Sequence, residues 1–258
     1  MAREDLSPER INGLILLSDG VANVGNTAAE SILKSVRDNS ADGVTLSTVG
    51  FGMGNFNDVL MERLANDGDG TYAYVDTLNE ARRIFVENLT GTLYLIARDA
   101  KVQVDFNPEV VSRFRLLGYE NRRVADRDFR NDAVDAGEVG SGHNVTALCE
   151  LKLLPGAEGR LATVNVRYED PDTGEVTEIG RDFYRNQLSA TFAAASPRFQ
   201  LDAAVAEYAE ILRESFWSLE SSMEGVRAVA GRVSGFLPDG PDVTEFLYLV
   251  TQAALIAG

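Results

Sequence analysis

The chain is poor in the residues that most often carry chemistry. Its 258 residues include one cysteine, one histidine and one tryptophan. The single thiol, Cys149, excludes an internal disulfide. A catalytic thiol needs a histidine base, and the only histidine, His143, lies in a glycine-flanked loop a few residues upstream. A Cys–His nucleophile is therefore not expected. Cys149 falls in the apolar stretch 145–154 and reads as a small buried hydrophobe. Basic residues are also scarce: 24 Lys and Arg against 40 Asp and Glu leave a net charge of −16. Such a chain is unsuited to nucleic acid, whose binders set basic patches against phosphates. It is equally unsuited to an anionic membrane surface, and it suits a soluble protein or one that attracts cations. No run approaches the roughly 18 apolar residues of a membrane span. The opening residues Ala2-Arg3-Glu4-Asp5 are charged and unlike a signal peptide.

The composition does supply a core, with 45% hydrophobic residues. The length suits one or two domains. The most informative stretch is Gly13-Leu14-Ile15-Leu16-Leu17-Ser18-Asp19-Gly20. Four consecutive aliphatic residues suit a strand buried on both faces of a parallel sheet. The turn residues that follow put Asp19 just beyond the strand's C-terminal end, the edge at which open α/β sheets bind ligands.

From there the pattern predicts alternating elements. A capping box at Thr27–Glu30 opens a helix to about Asn39, with Ile32, Leu33 and Val36 inward. A strand over 44–49 ends in Gly50-Phe51-Gly52. A short helix over 57–66 turns Val59, Leu60 and Leu64 inward, and a third strand covers 71–75. A second capping box at Thr77–Glu80 starts a helix with the stripe Ala81, Ile84, Phe85 and Leu89. Strands alternating with helices imply right-handed crossovers and a parallel sheet. After Thr92 the period changes to two. Val102, Val104 and Phe106 alternate, and 110–117 reads as the antiparallel partner of that strand. A polar segment, 120–144, reads as an irregular loop with short strand pieces. Strands follow over 145–153, 161–168 and 176–184, the last two joined by the hairpin turn Asp170-Pro171-Asp172-Thr173-Gly174. The end of the chain is helical. Ser196-Pro197 fits N-cap and N1, and Leu201, Val205, Tyr208 and Leu212 form a stripe. A capping box at Ser221–Glu224 leads to Met223, Val226, Val229 and Val233. The last helix, 242–257, turns Phe246, Leu249, Val250 and Ala253 inward. The fold class is α/β followed by a β-rich and helical region: a partial parallel sheet with helices, then an antiparallel sheet or sandwich packed with C-terminal helices.

The run Ile15-Leu16-Leu17-Ser18-Asp19-Gly20-Val21-Ala22-Asn23-Val24-Gly25 resembles the fourth-strand segment of von Willebrand factor type A domains, with 43–52 and 70–75 similar to the next two strands. Residues 100–108, 116–122 and 135–148 are similar to bacterial YfbK-type proteins, in which a type A domain precedes a characteristic C-terminal domain. The resemblance divides the chain into residues 1–97, the C-terminal part of a type A domain, and residues 98–258, a YfbK-type C-terminal domain with β region 98–190 and helices 196–257. It implies a protein–protein interaction module of the bacterial cell envelope, commonly a lipoprotein. In a complete type A domain that contact runs through Mg²⁺ or Mn²⁺ held by an Asp-x-Ser-x-Ser motif, a threonine and an aspartate. Only the aspartate is matched here, by Asp19. On the resemblance, the chain reads as N-terminally truncated, with Met1 an internal or shortened start. Leu14–Leu17 then becomes an exposed strand edge open to self-association.

A lone carboxylate does not hold Mg²⁺, because the ion keeps its waters unless several hard oxygens converge. No metal is expected for this chain by itself, and Asp19 then serves as a turn residue capping backbone N–H groups. Asn66-Asp67-Gly68-Asp69-Gly70 lacks the ligand ladder of a calcium loop and reads as a helix-to-strand turn. Gly50 and Gly52 do not complete a dinucleotide fingerprint. The sequons at Asn88 and Asn144 are matched by pattern alone. Phe216, Trp217 and Tyr208 read as core or inter-domain packing residues. Two alternatives to the interaction module stand: a structural or assembly domain with no metal site, and a hydrolase using carboxylates such as Asp19, for which no His, Ser or Cys constellation is at hand.

Overall fold

A computed structural model describes residues 12–18, 29–40, 44–52, 57–89, 91, 94–118, 124–134, 136–238 and 240–257. The chain divides into two compact units. The first is Met1–Val104, Val124–Val145 and Val164–Arg181, and the second is Asp105–Arg123, Thr146–Thr163 and Asp182–Gly258.

In the first unit a parallel sheet is built from β1 (Gly13–Ser18), β2 (Thr45–Phe51) and β3 (Tyr72–Val75), in that order. Helices α1 (Ala29–Ser40), α2 (Asp58–Asn66) and α3 (Leu78–Arg82) connect or follow them, and α3 widens into a π-helical turn over Arg83–Glu87. The expected strand–helix alternation is thus present. β2 lies between its two neighbours and is the buried strand, with Val49 at 2% exposure. β1, expected to be buried on both faces, is flanked by β2 alone among the described residues, and Leu17 is 56% exposed. Apolar packing falls into two clusters. Leu33, Met61 and Leu64 gather Ile32, Val36 and Leu46. Val49, Val75 and Ile84 gather Ile15, Phe51 and Phe85. In α2 the buried residues are Met61, Leu64 and Ala65, while Val59 is exposed. Asn57 caps that helix by accepting from Leu60 N at 3.1 Å. Thr77 caps α3 by accepting from Glu80 N. The expected helix-to-strand turn after α2 is present. Asp69 takes a left-handed φ of +48°, Arg37 pairs with Asp67 at 2.5 Å, and Ser40 donates to Asp69. The first capping box, expected at Thr27–Glu30, has Thr27 and Ala28 outside the described residues.

The later sheets, from residue 95 onward, are antiparallel where their pairing is defined. A four-stranded sheet has the order β6 (Gly137–Gly140), β4 (Leu95–Phe106), β8 (Arg160–Glu169), β9 (Val176–Tyr184), and β5 (Val111–Leu117) pairs with β7 (Leu148–Leu153). The expected pairing of 110–117 with the preceding strand is therefore corrected: its partner is β7. At the end of β4 the carbonyl of Asn107 accepts from Val110 N and Val111 N, while Asn107 N donates to Leu161 O, so the chain turns away instead of folding back as a hairpin. The alternation of β4 is corrected as well. Lys101 is 4% exposed and Val102 is exposed. Register shifts between Leu95 and Ala100, with Asp99 at φ +49°, insert a bulge that exchanges the faces. The β8–β9 hairpin forms as expected. Asp170 accepts from Asp172 N and Thr173 N at 2.9 Å each, and these bonds, Thr173's first, hold its carboxyl below the usual range.

The C-terminal helices are α4 (Pro197–Leu212), α5 (Met223–Ser234) and α6 (Pro241–Ala257). Ser196 caps α4 with Pro197 in its first turn, as expected. The cap of α5 is Ser222, one residue later than expected, accepting from Gly225 N at 3.1 Å. Ala204, Val226 and Val250 form the cluster of this bundle, with Tyr208, Ile211, Val229 and Phe246 around it. In α4 the predicted stripe is rotated: Val205 and Leu212 are exposed, while Gln200 and Ala204 are buried. Gln200 is drawn inward because its amide donates to Ala193 O and Ala195 O and its Oε1 accepts from Arg232. In α6, Leu249 is likewise exposed and Val243 is buried instead.

Gly70 lies so near Leu46 that an added Cβ would sit 2.3 Å from its carbonyl oxygen, whereas the space at Gly52 is open although its φ is +88°. Gly70→Ala is expected to lower stability by about 2–4 kcal/mol through a backbone clash that cannot relax. Gly52→Ala should cost only the strained conformation, about 1–3 kcal/mol. Urea titration of both variants checks the order.

Candidate functional site

In the parallel sheet, Ser18, Gly50 and Tyr74 form one rung at the C-terminal edge, since Ser18 pairs with Gly50 and Gly50 with Tyr74. Asp19, the sole metal-ligand candidate of the sequence, follows Ser18 and lies outside the described residues. The rung itself is firmly built. The Tyr74 hydroxyl donates to the Gly52 carbonyl at 2.6 Å, tying the chain that leaves β2 to β3. Below it, buried Thr48 donates to Met61 O at 2.8 Å and anchors β2 to α2. At the other end Tyr72 donates to Asp58. Burial, that hydrogen bond and the carboxylate's charge raise the phenol's pKa well above its ordinary value.

Among the described residues no group of three or more His, Cys, Asp or Glu side chains is arranged to hold a metal ion. Octahedral coordination of a hard divalent cation needs several converging oxygens, and Asp19 lies outside the described residues.

Outside the rim, the first unit carries a charged group that sequence reasoning missed. Lys101, buried on β4, donates to Asn131 O at 2.8 Å. Arg167 pairs with Asp132 at 2.7 Å and with Glu178 at 3.4 Å, and Arg130 with Glu178 at 2.6 Å. Arg130's hydrogen bonds, against a smaller opposing effect of burial, hold the Glu178 carboxyl below its usual range. These bonds tie residues 130–132 to β8 and β9. The hollow beside Asp99, Lys101, Asp132, Arg167 and Glu169 encloses about 10 Å³, room for about one water and no substrate. The signal in the sequence was the charge density of 120–144, whose partners lie some 35 to 48 residues away and are set by the sheet.

In the second unit the node is Arg115 on β5. It pairs with Glu150 on β7 at 2.9 Å and with Glu210 on α4 at 3.4 Å, and its guanidinium lies 4.5 Å from the Trp217 ring centroid. Glu210 also pairs with Arg213. Burial opposes ionisation of Glu210, but bonds from Ser215 and the charges of Arg213 and Arg115 outweigh it, and its pKa is lowered. Phe216 and Trp217 are not part of the core, one of the two kinds of packing expected of them. They form an edge-to-face pair at 5.4 Å and both are exposed. Tyr208 does pack, against Phe246 at 5.7 Å. Cys149 is half-buried, and burial raises its pKa, the direction opposite to thiolate activation. His143 sits against the backbone of Gly91 and Gly140, where side chains would collide with it.

The molecule is thus a mixed α/β protein: a parallel sheet with helices, antiparallel sheets and a helical C-terminal region. The family model described as "Uncharacterized protein YfbK, C-terminal" matches residues 91–160 and 154–256. "Uncharacterized protein YfbK" of Escherichia coli strain K12 is 34% identical over 262 aligned positions, covering 94% of this chain and 44% of the relative. The chain belongs to the YfbK family. It spans under half the length of that curated relative. Among solved structures, "von Willebrand factor type A from Catenulispora acidiphila" is 14% identical, covering 95% of this chain and 58% of that one at a TM-score of 0.45. "Crystal structure of the ArnB paralog VWA2 from Sulfolobus acidocaldarius" is 16% identical, covering 90% and 57% at 0.40.

The lowered pKa of Glu210 makes it a stabiliser at neutral pH. Its contribution is complete above the unfolded value near 4.5 and is lost as pH falls through the lower folded value. Glu210→Gln should destabilise the second unit by about 1–3 kcal/mol at pH 7, because Arg115 and Arg213 lose a charged partner but keep access to water. The difference from the parent should shrink as pH falls through the lowered folded value, as measured by thermal melts across pH.

Proposed function

We propose that this chain is part of a non-enzymatic protein–protein interaction module, with the C-terminal rim of the parallel sheet as its contact face. Residues 1–97 form the C-terminal part of a type A domain and residues 98–258 the YfbK-type C-terminal domain. The observation that carries this is the rung Ser18, Gly50 and Tyr74, from whose first member the chain passes directly to Asp19. That is the edge where parallel α/β sheets receive ligands. Membership of the YfbK family supports it.

Metal enters only where further oxygen ligands join Asp19. In such a domain Mg²⁺ or Mn²⁺ would be completed by a carboxylate of the partner, and the hydroxyl-rich shell would leave the ion able to accept it. The non-enzymatic assignment is supported by composition, since one histidine and one cysteine leave no nucleophile–base set. An envelope setting is supported by the family resemblance alone. Among the described residues no helix is long and apolar enough to cross a membrane. Membrane fractionation of a full-length relative tests that setting.

Calorimetric titration with Mg²⁺ and Mn²⁺ should show no micromolar binding to this chain. Binding that survives Asp19→Ala would sink the assignment of the rim. Turnover of generic ester or phosphate substrates, lost in the same variant, would favour a hydrolase. The β1 edge offers a further check. Leu16→Lys should suppress any concentration-dependent association seen by sedimentation, because a charge at the edge blocks strand pairing.

A further inference from the structure

We propose that the Phe216–Trp217 turn of the second unit is a docking site for a polypeptide partner that presents an apolar anchor flanked by lysine or arginine. It is independent of the sheet rim and needs no metal. Three observations converge on it.

The first is exposure of large apolar surface at one short turn. Phe216 is 73% exposed, Trp217 59% and Leu219 76%. Burying such side chains on association favours binding roughly in proportion to the apolar area removed from water, and aromatic side chains dominate the centres of protein interfaces.

The second is rigidity. Ser215 caps the turn by accepting from Trp217 N at 3.2 Å, and Ser218 donates back to Ser215 O at 2.8 Å. The two rings meet edge to face at 5.4 Å and 85°. Arg115 lies against Trp217, and that guanidinium is in turn held by Glu150 and Glu210. An anchor already locked by its neighbours loses little conformational freedom on binding.

The third is charge, and it selects the occupant. The two guanidiniums at this place, Arg115 and Arg213, are both ion-paired with Glu210, and Arg115 also with Glu150. The carboxylates that bracket the aromatic turn, Glu214 and Glu220, are exposed and have no ion pair among the described residues. The C-terminus of α4, with its negative dipole end, immediately precedes the turn. A second copy meeting this turn with its own would set Glu214 and Glu220 against like charges, whereas a basic segment would be attracted and oriented.

Trp217 is the only tryptophan, so intrinsic tryptophan fluorescence reports on this turn alone. The test is titration of the whole chain with a short tryptophan-free peptide bearing a leucine pair between arginines, in parallel with the same peptide bearing glutamates. The arginine peptide should shift Trp217 emission saturably, and its affinity should fall at high salt. Phe216→Ala and Leu219→Ala should each weaken it about tenfold, equivalent to about 1.4 kcal/mol. Glu214→Lys combined with Glu220→Lys should weaken the arginine peptide and admit the glutamate peptide. Asp19→Ala should leave binding unchanged, which separates this site from the rim. Equal binding of both peptides, no saturable shift, indifference to Phe216→Ala, or self-association of the chain through this turn would each overturn the proposal.

Discussion

Everything at the proposed contact rim depends on β2 having a hydrogen-bonded neighbour on each side. A central parallel strand has no water for its backbone, so each peptide group must be satisfied by β1 or β3. That requirement aligns Ser18, Gly50 and Tyr74 in one rung and ends the three strands at a common edge. It also explains the closeness of Gly70 to Leu46: the turn from α2 into β3 has to press against β2 for the ladder to begin. Tyr74 continues the same logic beyond the last paired residue by holding the Gly52 carbonyl.

The second unit solves a different problem. Its two-stranded β5–β7 sheet is too small to be stable alone, and a buried carboxylate on a neighbouring helix supplies a polar anchor for it. Glu210 takes both Arg115 and Arg213, and Arg115 also reaches Glu150 and Trp217. One guanidinium thus joins a strand pair, a helix end and an aromatic turn. Its planar fork suits it to two carboxylates and a ring face at once, which a lysine could not match. The aromatic turn lies outside, with Arg115 over the Trp217 ring.

Much of this was legible from local pattern. The unbroken Leu14–Leu17 run, the cap at Thr77, the Ser196-Pro197 start and the Asp170–Gly174 hairpin act within a few residues, and each forms where its residues predict. Failures arose where polar contacts outside the local hydrophobic pattern decided the outcome. Val102 and Lys101 exchanged faces because a bulge at Asp99, stabilised by Ala136 N, shifted the alternation. Val205 and Leu212 gave up the inward face of α4 because Arg232 and the carbonyls of Ala193 and Ala195 drew Gln200 into it. Hydrophobic period alone cannot weigh those polar contacts against a leucine.

Residue order was enough to set the alternation of strands and helices, the parallel sense of the first sheet, the turn chemistry and the family, because these follow from side-chain periodicity and residue identity over short spans. It was also enough to put Asp19 directly after the residues of the first strand. Folding in three dimensions was needed to pair β5 with β7, to hold Arg115 between Glu150 and Glu210, and to turn Phe216 and Trp217 outward. Strand partnership and ion pairing are choices among many chemically equivalent candidates, and the path of the backbone brings one of them within bonding distance.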